Sequence, residues 1–500
     1  MQHARTLIIL DIDGLRQDVF HQALTQNAVP NLQRLFRPDG QDAAYHVDPV
    51  SVAPSITFCA QASIFTGKHP RDHRIPGNEF FDRMGNNRQQ IPRHVAFDIG
   101  ETYAFDDAVN VFRRDLADRM LSAEAPTLYE SAAERGLQSL VTYNMYGRGA
   151  QQVVRPSVID LARFLKGFGP LKLASYDYDR HMVNSLIKAL DRSQTPPDII
   201  TAYLMGLDHH SHVHGPGSQM DYLVKHIDPQ VGHLLDALQR RGLLDEALFA
   251  VVSDHGQYQT PGDDPHSIRL GFPFDMELSP LFHALGLDLH DRPGEDPHVD
   301  AVVGTNGGIA HVYLRHREDE WPVMPRFEED VMPVARAFWD MNQTGRYRDE
   351  LQDTLEAILV RNAQAEGWNA PYAVYQGEDR FLSIEEWAQE NAHLPIPDVA
   401  NRIQNAANSM SGDLILFAQA ERGVYFGKEG YQGMHGSLHE SDSACVLSFG
   451  FPKTEASNRE TAFNAMAQSL SQRCQQENNR MPSIVDMTGL IRAALLPEAS

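Results

Sequence analysis

Residues 6–14 read Thr-Leu-Ile-Ile-Leu-Asp-Ile-Asp-Gly, an apolar run that ends in an acid and a glycine. This composition is typical of a strand that is buried on both faces and runs into a turn. Similar apolar runs occur at 198–204, 247–252, 413–417 and 444–449. Helical periodicity lies between them, as at 231–241. The alternation predicts an α/β fold with a mostly parallel central sheet, helices on both faces, and inserted cap segments.

Three aspartates stand at or just past the predicted strand ends. Asp13 ends the first run, Asp208 follows the second, and Asp254 follows the third within Ser253-Asp254-His255-Gly256. In open α/β sheets, ligands bind beyond the carboxyl ends of the strands. We therefore expect these three carboxylates, which are far apart in sequence, to meet at one edge of the sheet.

Two stretches interrupt this alternation and suggest a domain organisation. Residues 80–175 and 262–430 are rich in Pro, Gly, Asn and charge, and they carry short helices of their own. We interpret both as insertions that cap or shape the site. The prediction is a main α/β core at 1–261 and 431–500, a cap at 262–430, and a smaller insertion at 80–175 within the core.

The bulk composition narrows the class of protein. The chain has 500 residues, of which 42% are hydrophobic and 22% charged, as is ordinary for a soluble globular protein. It has no apolar run long enough for a membrane span. The apolar run near the N-terminus is too short for a signal peptide, so a cytoplasmic location is expected, with a periplasmic or secreted one as the alternative if a leader was removed.

The net charge and the cysteine content of the chain limit the ligands that it can bind. The formal net charge of -24 argues against broad nucleic-acid binding, although bound cations would still allow a small phosphate ester to bind. The 3 cysteines form no Cys-x-x-Cys pair and suggest no disulfide framework. Any metal must therefore be held by Asp, Glu and His. Oligomeric state is left open.

Two His-containing segments are candidate metal ligands. Asp208 and His212 are four residues apart, so on a helical turn they share one face, and a carboxylate with an imidazole suits zinc or a similar divalent ion. His435 lies between Gly433-Met434 and Gly436, which would allow close approach to a ligand. The structural alternatives are a solvated His-rich loop and a surface turn.

Thr57 is the candidate nucleophile. The segment 54–67 reads as a loop that enters a helix near Thr57, where the free N–H groups and positive end of the helix favour an alkoxide and an incoming phosphate. The alternative is that the Thr57 hydroxyl only caps the helix.

At this point the motifs resemble the type I phosphodiesterase/nucleotide pyrophosphatase family of the alkaline phosphatase superfamily. That family has a strand entering Asp-Gly-Phe-Arg, then Pro-Ser-Leu-Thr-Phe-Pro-Asn-His, then Thr-Gly-x-x-Pro-x-x-His-Gly-Ile and an Asn. The corresponding residues here are Asp13 to Arg16, Pro54 to Phe58, Thr66 to Pro70, His73, and Asn78. Cys59-Ala60-Gln61 departs from Pro-Asn-His without removing a ligand.

The later family motifs follow in the same order. Asp-x-x-x-His-x-x-Gly-Pro fits residues 208–216, Ser-Asp-His-Gly fits 253–256, and Gly-x-His-Gly fits 433–436. The five blocks span residues 6–437, and the resemblance fades within the two insertions. It implies an alkaline-phosphatase-like fold and a metal-dependent hydrolase of phosphoric ester or anhydride bonds.

The resemblance also implies specific roles. One ion would be bound by Asp208, His212 and His435, and the other by Asp13, Asp254, His255 and the Thr57 oxygen. The cofactors would be two divalent ions, with Zn²⁺ expected and Mn²⁺ the alternative. Thr57 would form a phospho-threonine intermediate. Asn78, helped by the Phe58 backbone N–H, would donate to a phosphate oxygen. Phe58 and Tyr203 would sandwich a base, so a nucleotide is the expected form of the small phosphate-ester substrate; both could equally be core aromatics.

Other residues and rival functions were weighed. Asp11 is interpreted either as a residue that orients a ligand or as a buried carboxylate. The segment 304–311 is interpreted as a structural turn, with a loop near the substrate as the alternative. A haloacid-dehalogenase-type phosphatase would use Asp11 as nucleophile but leaves the later blocks unexplained. A sulfatase lacks its Cys/Ser-x-Pro-x-Arg motif here. A phosphomonoesterase, a phosphonate hydrolase and a non-catalytic phosphate binder stay as alternatives.

Overall fold

The computed structural model describes residues 6–37, 43–86, 90–97, 111, 115–166, 172–245, 247–268, 277–290 and 298–495. The strands within these residues are, in chain order, β1 Thr6–Ile12, β2 Ala44–Val47, β3 Glu79–Asp82, β4 Arg93–Ala96, β5 Ser139–Thr142, β6 Gln152–Val154, β7 Ile199–Leu204, β8 Ala247–Val252, β9 Tyr258–Gln259, β10 Ser267–Ile268, β11 Leu289–His290, β12 Ala301–Asn306, β13 Ile309–Leu314, β14 Leu355–Arg361, β15 Tyr372–Tyr375, β16 Phe381–Leu382, β17 Leu414–Ala418, β18 Tyr425–Phe426, β19 Gly433–Met434 and β20 Leu447–Gly450.

The α-helices of the same part of the chain are Gln17–Thr25, Pro30–Phe36, Thr57–Thr66, Pro70–His73, Leu116–Met120, Leu128–Ala133, Val158–Lys166, Ser175–Arg192, Gly206–His214, Gln219–Tyr222, Asp228–Arg240, Ser279–Ala284, Met332–Thr344, Ala363–Glu366, Ile384–Glu390, Val399–Gln404, Glu440–Ser443, Ala456–Gln476 and Met487–Leu495. Two π-helical turns, Leu223–Ile227 and Phe327–Val331, precede longer helices. None of the described helices is long and apolar enough to cross a membrane.

A seven-stranded sheet forms the centre of the fold, in the order β2-β20-β8-β1-β7-β5-β6. From β8 to β6 all neighbours are parallel, and β20 and β2 add an antiparallel edge. All seven residues of β1 are buried. The α/β fold with a mostly parallel sheet, predicted from the apolar runs, is therefore confirmed.

Helices cover both faces of this sheet, because alternate side chains of β1 enter different cores. Leu7 and Ile9 pack with the helices Thr57–Thr66 and Met487–Leu495. Ile8, Leu10 and Ile12 pack on the opposite face with the helices Gln17–Thr25, Pro30–Phe36, Ser175–Arg192 and Asp228–Arg240. A strand buried on both faces shows a continuous apolar run rather than alternation, which is what residues 6–12 show.

A second seven-stranded sheet, β11-β12-β13-β17-β14-β15-β16, lies within the stretch 262–430. The helix Met332–Thr344 packs on one of its faces, and the helices Ile384–Glu390 and Val399–Gln404 pack on the other. The run 413–417, grouped above with the central strands, forms β17 of this second sheet and is antiparallel to both of its neighbours. That assignment was wrong because a strand covered on both faces has the same apolar run whichever sheet it joins.

The stretch 80–175 also contributes to the central sheet. Its strands β5 and β6 extend the parallel array beyond β7. Its antiparallel pair β3 and β4 lies beside β12 of the second sheet. This stretch therefore contains strands of the core as well as segments that approach the site.

Candidate functional site

The carboxyl ends of β8, β1 and β7 lie side by side, and each is followed by an aspartate. Asp13 follows β1 and Asp254 follows β8, and the Gly14 N–H donates to Asp254 Oδ1 at 3.1 Å. Asp208 lies in the helix after β7, and a Cβ on Gly14 would come within 2.7 Å of Asp208 Oδ1. The three aspartates predicted to converge therefore do so, and Gly14, with φ 68°, makes room for the third.

Asp13, Asp254 and His255 form the first cluster of possible metal ligands. His255 Nε2 lies 3.4 Å from Asp13 Oδ1 and 3.5 Å from Asp254 Oδ2. The other ring nitrogen, Nδ1, is 2.9 Å from the Gly256 carbonyl oxygen. Because a carbonyl only accepts, Nδ1 carries the proton and the Nε2 lone pair faces the carboxylates, which is the tautomer that a metal ligand needs.

Asp208, His212 and His435 form the second cluster, directly beside the first. His212 Nε2 lies 3.3 Å from Asp208 Oδ2 and 3.2 Å from His435 Nε2. His212 Nδ1 donates to the Gly433 carbonyl at 2.7 Å, so its Nε2 lone pair also faces inward. The His435 ring stacks on the ring of His255 at 3.7 Å, and His255 also lies close enough to share the site of Asp208 and His435.

The charges of these residues fit bound divalent cations. Within the described residues, Asp13 Oδ1 and Asp254 Oδ2 are buried and accept no hydrogen bond. Burial and the charges of Asp254 and Asp208 raise the pKa of Asp13 well above its usual range, and burial also raises the pKa of Asp254. Burial alone would raise the pKa of Asp208, but the neighbouring histidines outweigh it and lower that pKa. Buried carboxylates with unused lone pairs, next to imidazoles, are donors suited to zinc-like ions.

Thr57 is the first residue of the helix Thr57–Thr66 and lies beside the first cluster. Its Oγ1 is 3.1 Å from His255 Nε2. The helix has no side-chain cap, so the Thr57 hydroxyl does not serve as one. The preceding segment is fixed by Ser55, whose hydroxyl lies 2.7 Å from the Ser437 carbonyl oxygen and 2.9 Å from Asp442 Oδ2. The Thr57 hydroxyl therefore faces the carboxylates and the imidazole of the first cluster rather than its own helix.

Asn78 is held in place by backbone contacts on both sides. The Phe58 N–H donates to Asn78 Oδ1 at 2.9 Å, and the Asn78 N–H donates to Asn306 Oδ1 at 2.7 Å. In this structure the Phe58 N–H orients the Asn78 amide, and its help in binding a phosphate oxygen stays a prediction. The Asn78 Nδ2 group is the donor left for a ligand.

A cavity of about 340 Å³ opens above these clusters. Its apolar wall consists of Ile56, Phe58, Phe97, Met145, Phe164, Tyr203, Met205, Val213 and Met434. Phe58 packs on Phe97 with ring centres 4.7 Å apart. The Tyr203 hydroxyl donates to Asp13 Oδ2. Both predicted aromatics therefore line the cavity, and Tyr203 also orients a candidate ligand, which its spacing from Asp208 did not reveal.

The segment 304–311, interpreted above as a structural turn, is a hairpin that also lines the cavity. Thr305, Asn306 and Gly307 contribute to its wall. The Gly308 N–H donates to the His435 carbonyl at 2.8 Å, which ties the turn to the second cluster. The Gly-Gly pair signalled the turn, but nothing in the sequence signalled the contact of Asn306 with Asn78.

Asp11 lies one layer below the cavity. It is fully buried, and Gln61 Nε2 donates to its Oδ1 at 3.0 Å. Burial and the charge of Asp254 raise its pKa well above the usual range. A nucleophile must reach the substrate, so the role that a haloacid-dehalogenase-type enzyme would give to Asp11 does not fit this placement. Gln61 occupies the position of the last His of the family motif, and its side chain donates the hydrogen bond to Asp11.

Comparisons with known proteins show the family. A family model described as type I phosphodiesterase/nucleotide pyrophosphatase matches residues 7–438. An uncharacterized pyrophosphatase/phosphodiesterase of Schizosaccharomyces pombe is 22% identical over 277 residues, which are 54% of this chain and 48% of that protein. Ectonucleotide pyrophosphatase/phosphodiesterase 2 of Saccharomyces cerevisiae is 22% identical over 284 residues, or 55% and 53%. The chain thus matches about half the length of these curated relatives.

Solved structures share the fold over nearly the whole chain. An inactive variant of murine ectonucleotide pyrophosphatase/phosphodiesterase 5, in complex with AMP, aligns with a TM-score of 0.55 at 13% identity and covers 99% of this chain and 97% of that chain. The human protein of the same name aligns with a TM-score of 0.52, also at 13% identity, and covers 96% of both chains. At this identity the likeness shows a common fold.

Proposed function

The chain belongs to the type I phosphodiesterase/nucleotide pyrophosphatase family, and on that premise we propose that it hydrolyses phosphoric diesters and anhydrides with Thr57 as the nucleophile. The observation that carries the proposal is the position of Thr57 Oγ1, which lies 3.1 Å from His255 Nε2 at the edge of a buried group of carboxylates. A hydroxyl placed there can be activated, whereas one that capped its own helix could not.

Two sets of residues would hold divalent ions. Asp208, His212 and His435 would bind one ion, and Asp13, Asp254, His255 and the Thr57 oxygen would bind the other. We propose zinc for both sites, with manganese as the alternative. When bound, such ions lower the pKa of a coordinated hydroxyl and offset the charge that develops on phosphate oxygens.

The reaction proceeds in two displacements. Thr57 Oγ, having lost its proton to solvent, attacks phosphorus; the Thr57 O–P bond forms, and the bond from phosphorus to the leaving oxygen breaks with its electron pair on that oxygen. Water then attacks the phospho-threonine, which releases the phosphate product and restores the hydroxyl. Asn78 Nδ2 donates to a non-bridging oxygen, and the Phe58 N–H and Asn306 hold it in position for this.

The apolar wall favours a substrate with a flat organic group on the retained phosphate. Phe58 lines the cavity and is packed from behind by Phe97, so its ring offers a fixed surface for stacking. Tyr203 would approach the same group with its ring, because its hydroxyl is bound to Asp13. We propose a nucleotide; the AMP bound to the related murine protein supports this choice.

The test compares Thr57→Ala with Thr57→Ser on bis(4-nitrophenyl) phosphate, with bound metal measured on the same samples. Loss of the nucleophile should reduce turnover by at least about a thousandfold, while Ser, which keeps the hydroxyl, should retain part of it. Metal content should persist in both variants because six of the seven ligand residues stay unchanged. Undiminished turnover by Thr57→Ala would remove Thr57 from this role.

A further inference from the structure

The helix Thr57–Thr66, which begins at the proposed nucleophile, is buried along its whole length. All ten of its residues are buried, and its apolar side chains share one core with β1 and the helix Met487–Leu495. Apolar contacts have no direction, so they hold the helix against the sheet without fixing its position along β1. The buried polar contacts of the helix must therefore fix this position.

One such contact joins the helix directly to β1. Gln61 Nε2 donates to Asp11 Oδ1 at 3.0 Å, and both side chains are fully buried. Asp11 lies two residues before Asp13, and Gln61 lies four residues after Thr57. Two residues of a strand span about 6.6 Å and four residues of a helix span about 6 Å. The two pairs of residues are therefore almost equally spaced.

The two aspartates lie on the face of β1 that the helix covers. Leu7 and Ile9 belong to the core that contains the helix, and side chains alternate along a strand, so Asp11 lies on the same face. The Asp13 N–H donates to the Leu204 carbonyl at 3.0 Å, which continues the pairing with β7 beyond the end of β1. The alternation therefore extends to Asp13.

Thr57 and Gln61 likewise share one face of the helix, because they are one turn apart. Thr57 Oγ1 lies 3.1 Å from His255 Nε2, and this nitrogen lies 3.4 Å from Asp13 Oδ1. The strand and the helix thus meet at two levels, with Gln61 on Asp11 at the lower level and Thr57 near Asp13 at the upper. A shift of the helix by one residue, about 1.5 Å along its axis, would disrupt both levels together.

Asn144 completes the lower level from a third element, the loop after β5. Its Nδ2 lies 3.5 Å from Asp11 Oδ2 and 3.4 Å from Gln61 Oε1, and its Oδ1 accepts from the Tyr146 N–H at 2.7 Å. The Tyr146 hydroxyl donates to the Phe58 carbonyl at 2.8 Å, in the first turn of the helix. Such buried hydrogen bonds are costly to leave unmade, so the network holds the helix in one position.

Building on the proposed function, we propose that Asp11 and Gln61 are positioning residues, which fix the helix along β1 and so align the Thr57 hydroxyl with the first cluster. Neither residue lines the cavity, so neither touches the substrate. An error of about 1 Å in the position of a reacting group can lower a rate about a hundredfold. Loss of the contact should therefore act on kcat, whereas KM, which depends on the cavity wall, should change little.

The test exchanges the donor and the acceptor of this contact. In Gln61→Glu, two carboxylates would meet where a 3.0 Å hydrogen bond now lies. In Asp11→Asn, three amide groups would compete for too few acceptors. In the double variant Asp11→Asn/Gln61→Glu, the new amide can donate to the new carboxylate, and Asn144 Nδ2 can still donate to both partners. The exchange thus restores every contact with its direction reversed.

The assay is turnover of bis(4-nitrophenyl) phosphate below the unfolding midpoint of every variant, with bound metal measured on the same samples. Gln61→Glu should lower kcat by about tenfold to a hundredfold and leave KM within about twofold. Asp11→Asn should lower kcat by about threefold to tenfold, and the double variant should recover to within about fivefold of the unmodified enzyme.

Ser63→Ala is the matched control within the same helix. The Ser63 hydroxyl is buried and lies 2.9 Å from His73 Nε2, so its loss removes a hydrogen bond that does not involve β1. This variant should lower the thermal unfolding midpoint and leave kcat within about twofold. A pair that only stabilised the fold would make the Asp11 and Gln61 variants behave in the same way.

Several results would overturn this assignment. Single variants with a lower unfolding midpoint but unchanged kcat would show a structural role alone. A double variant as slow as Gln61→Glu would show that the contact itself is not what matters. If Gln61→Glu does not fold, Asp11→Asn and the double variant still decide the question. These results would leave the proposed function intact, whereas an unmodified enzyme inactive on the diester would overturn the proposed function and this assignment together.

Discussion

Removing one carboxylate from the first cluster should move the thermal unfolding midpoint in opposite directions with and without divalent ions. Asp254→Asn is the suitable change, because the amide oxygen can keep the hydrogen bond that Asp254 Oδ1 accepts from the Gly14 N–H. The amide nitrogen then replaces the buried Oδ2, which accepts no hydrogen bond from the described residues. The change also removes a negative charge from a place where a ligand oxygen of Asp13 lies within 4.8 Å.

The magnitude follows from the charge that is removed. Two carboxylates within 4.8 Å repel by about 3 kcal/mol at an effective dielectric constant of about 20. Unfolding entropy of about 2 cal/mol/K per residue gives about 1 kcal/mol/K for this chain, so the metal-free midpoint should rise by about 3 °C. With zinc in hundredfold excess over Kd, loss of a ligand should instead remove up to about 2.7 kcal/mol of binding-linked stability.

The assay is thermal unfolding of the unmodified protein and the variant, each in chelator and in zinc, at pH 8. Asp179→Asn is the matched control, because Asp179 is a buried carboxylate that accepts hydrogen bonds from the Gly206 N–H and the Tyr222 hydroxyl and lies outside both clusters. Its substitution should shift both midpoints in the same direction. A fall of the metal-free midpoint in Asp254→Asn, equal to its fall in zinc, would refute the reasoning.

Two further outcomes are expected. Asn78→Ala should lower kcat by about a hundredfold or more with unchanged metal content, as measured by turnover and metal analysis, since one donor to the phosphate is lost; an effect confined to KM would contradict this role. His439 pairs with Glu356 at 2.7 Å, and although burial lowers the pKa of His439, this contact outweighs burial and raises it. A pKa that is raised in the folded state stabilises the protein at low pH, and this contribution is lost as the pH rises through that pKa. His439→Gln should therefore lower the free energy of unfolding, measured in urea, by about 1–2 kcal/mol more at pH 6 than at pH 9. An equal loss at both pH values would argue against the pair.

The sequence predicted the convergence of Asp13, Asp208 and Asp254 because each is adjacent in sequence to a strand that the apolar runs reveal. Parallel neighbours carry whatever follows them to the same edge, so no knowledge of side-chain contacts was needed. The pairing of Asp208 with His212 could also be predicted, since helical spacing places them on one face. The candidate ligands are therefore those parts of the site that secondary structure alone positions.

The contacts that orient these ligands could not be predicted from the sequence in the same way. Asn306 meets Asn78 across 228 positions, and Tyr203 meets Asp13 across 190. The first pair depends on how the second sheet packs in the fold, and the second on which strands of the central sheet are neighbours. Apolar periodicity encodes neither. The strand β17 was assigned to the wrong sheet because a strand covered on both faces has the same apolar run in either sheet.

Phosphate binding at this site should depend on the bound ions. The chain carries a net charge of -24, and Asp13, Glu79 and Asp208 line the cavity into which a phosphate must enter. Among the described residues that line the cavity, Lys428 provides one positive charge, which cannot offset three carboxylates. Ions held by the clusters would reverse the sign of the field at the place where the phosphate lies. The acidic composition that argues against binding nucleic acid is thus what lets the site gather cations and, through them, a small anion.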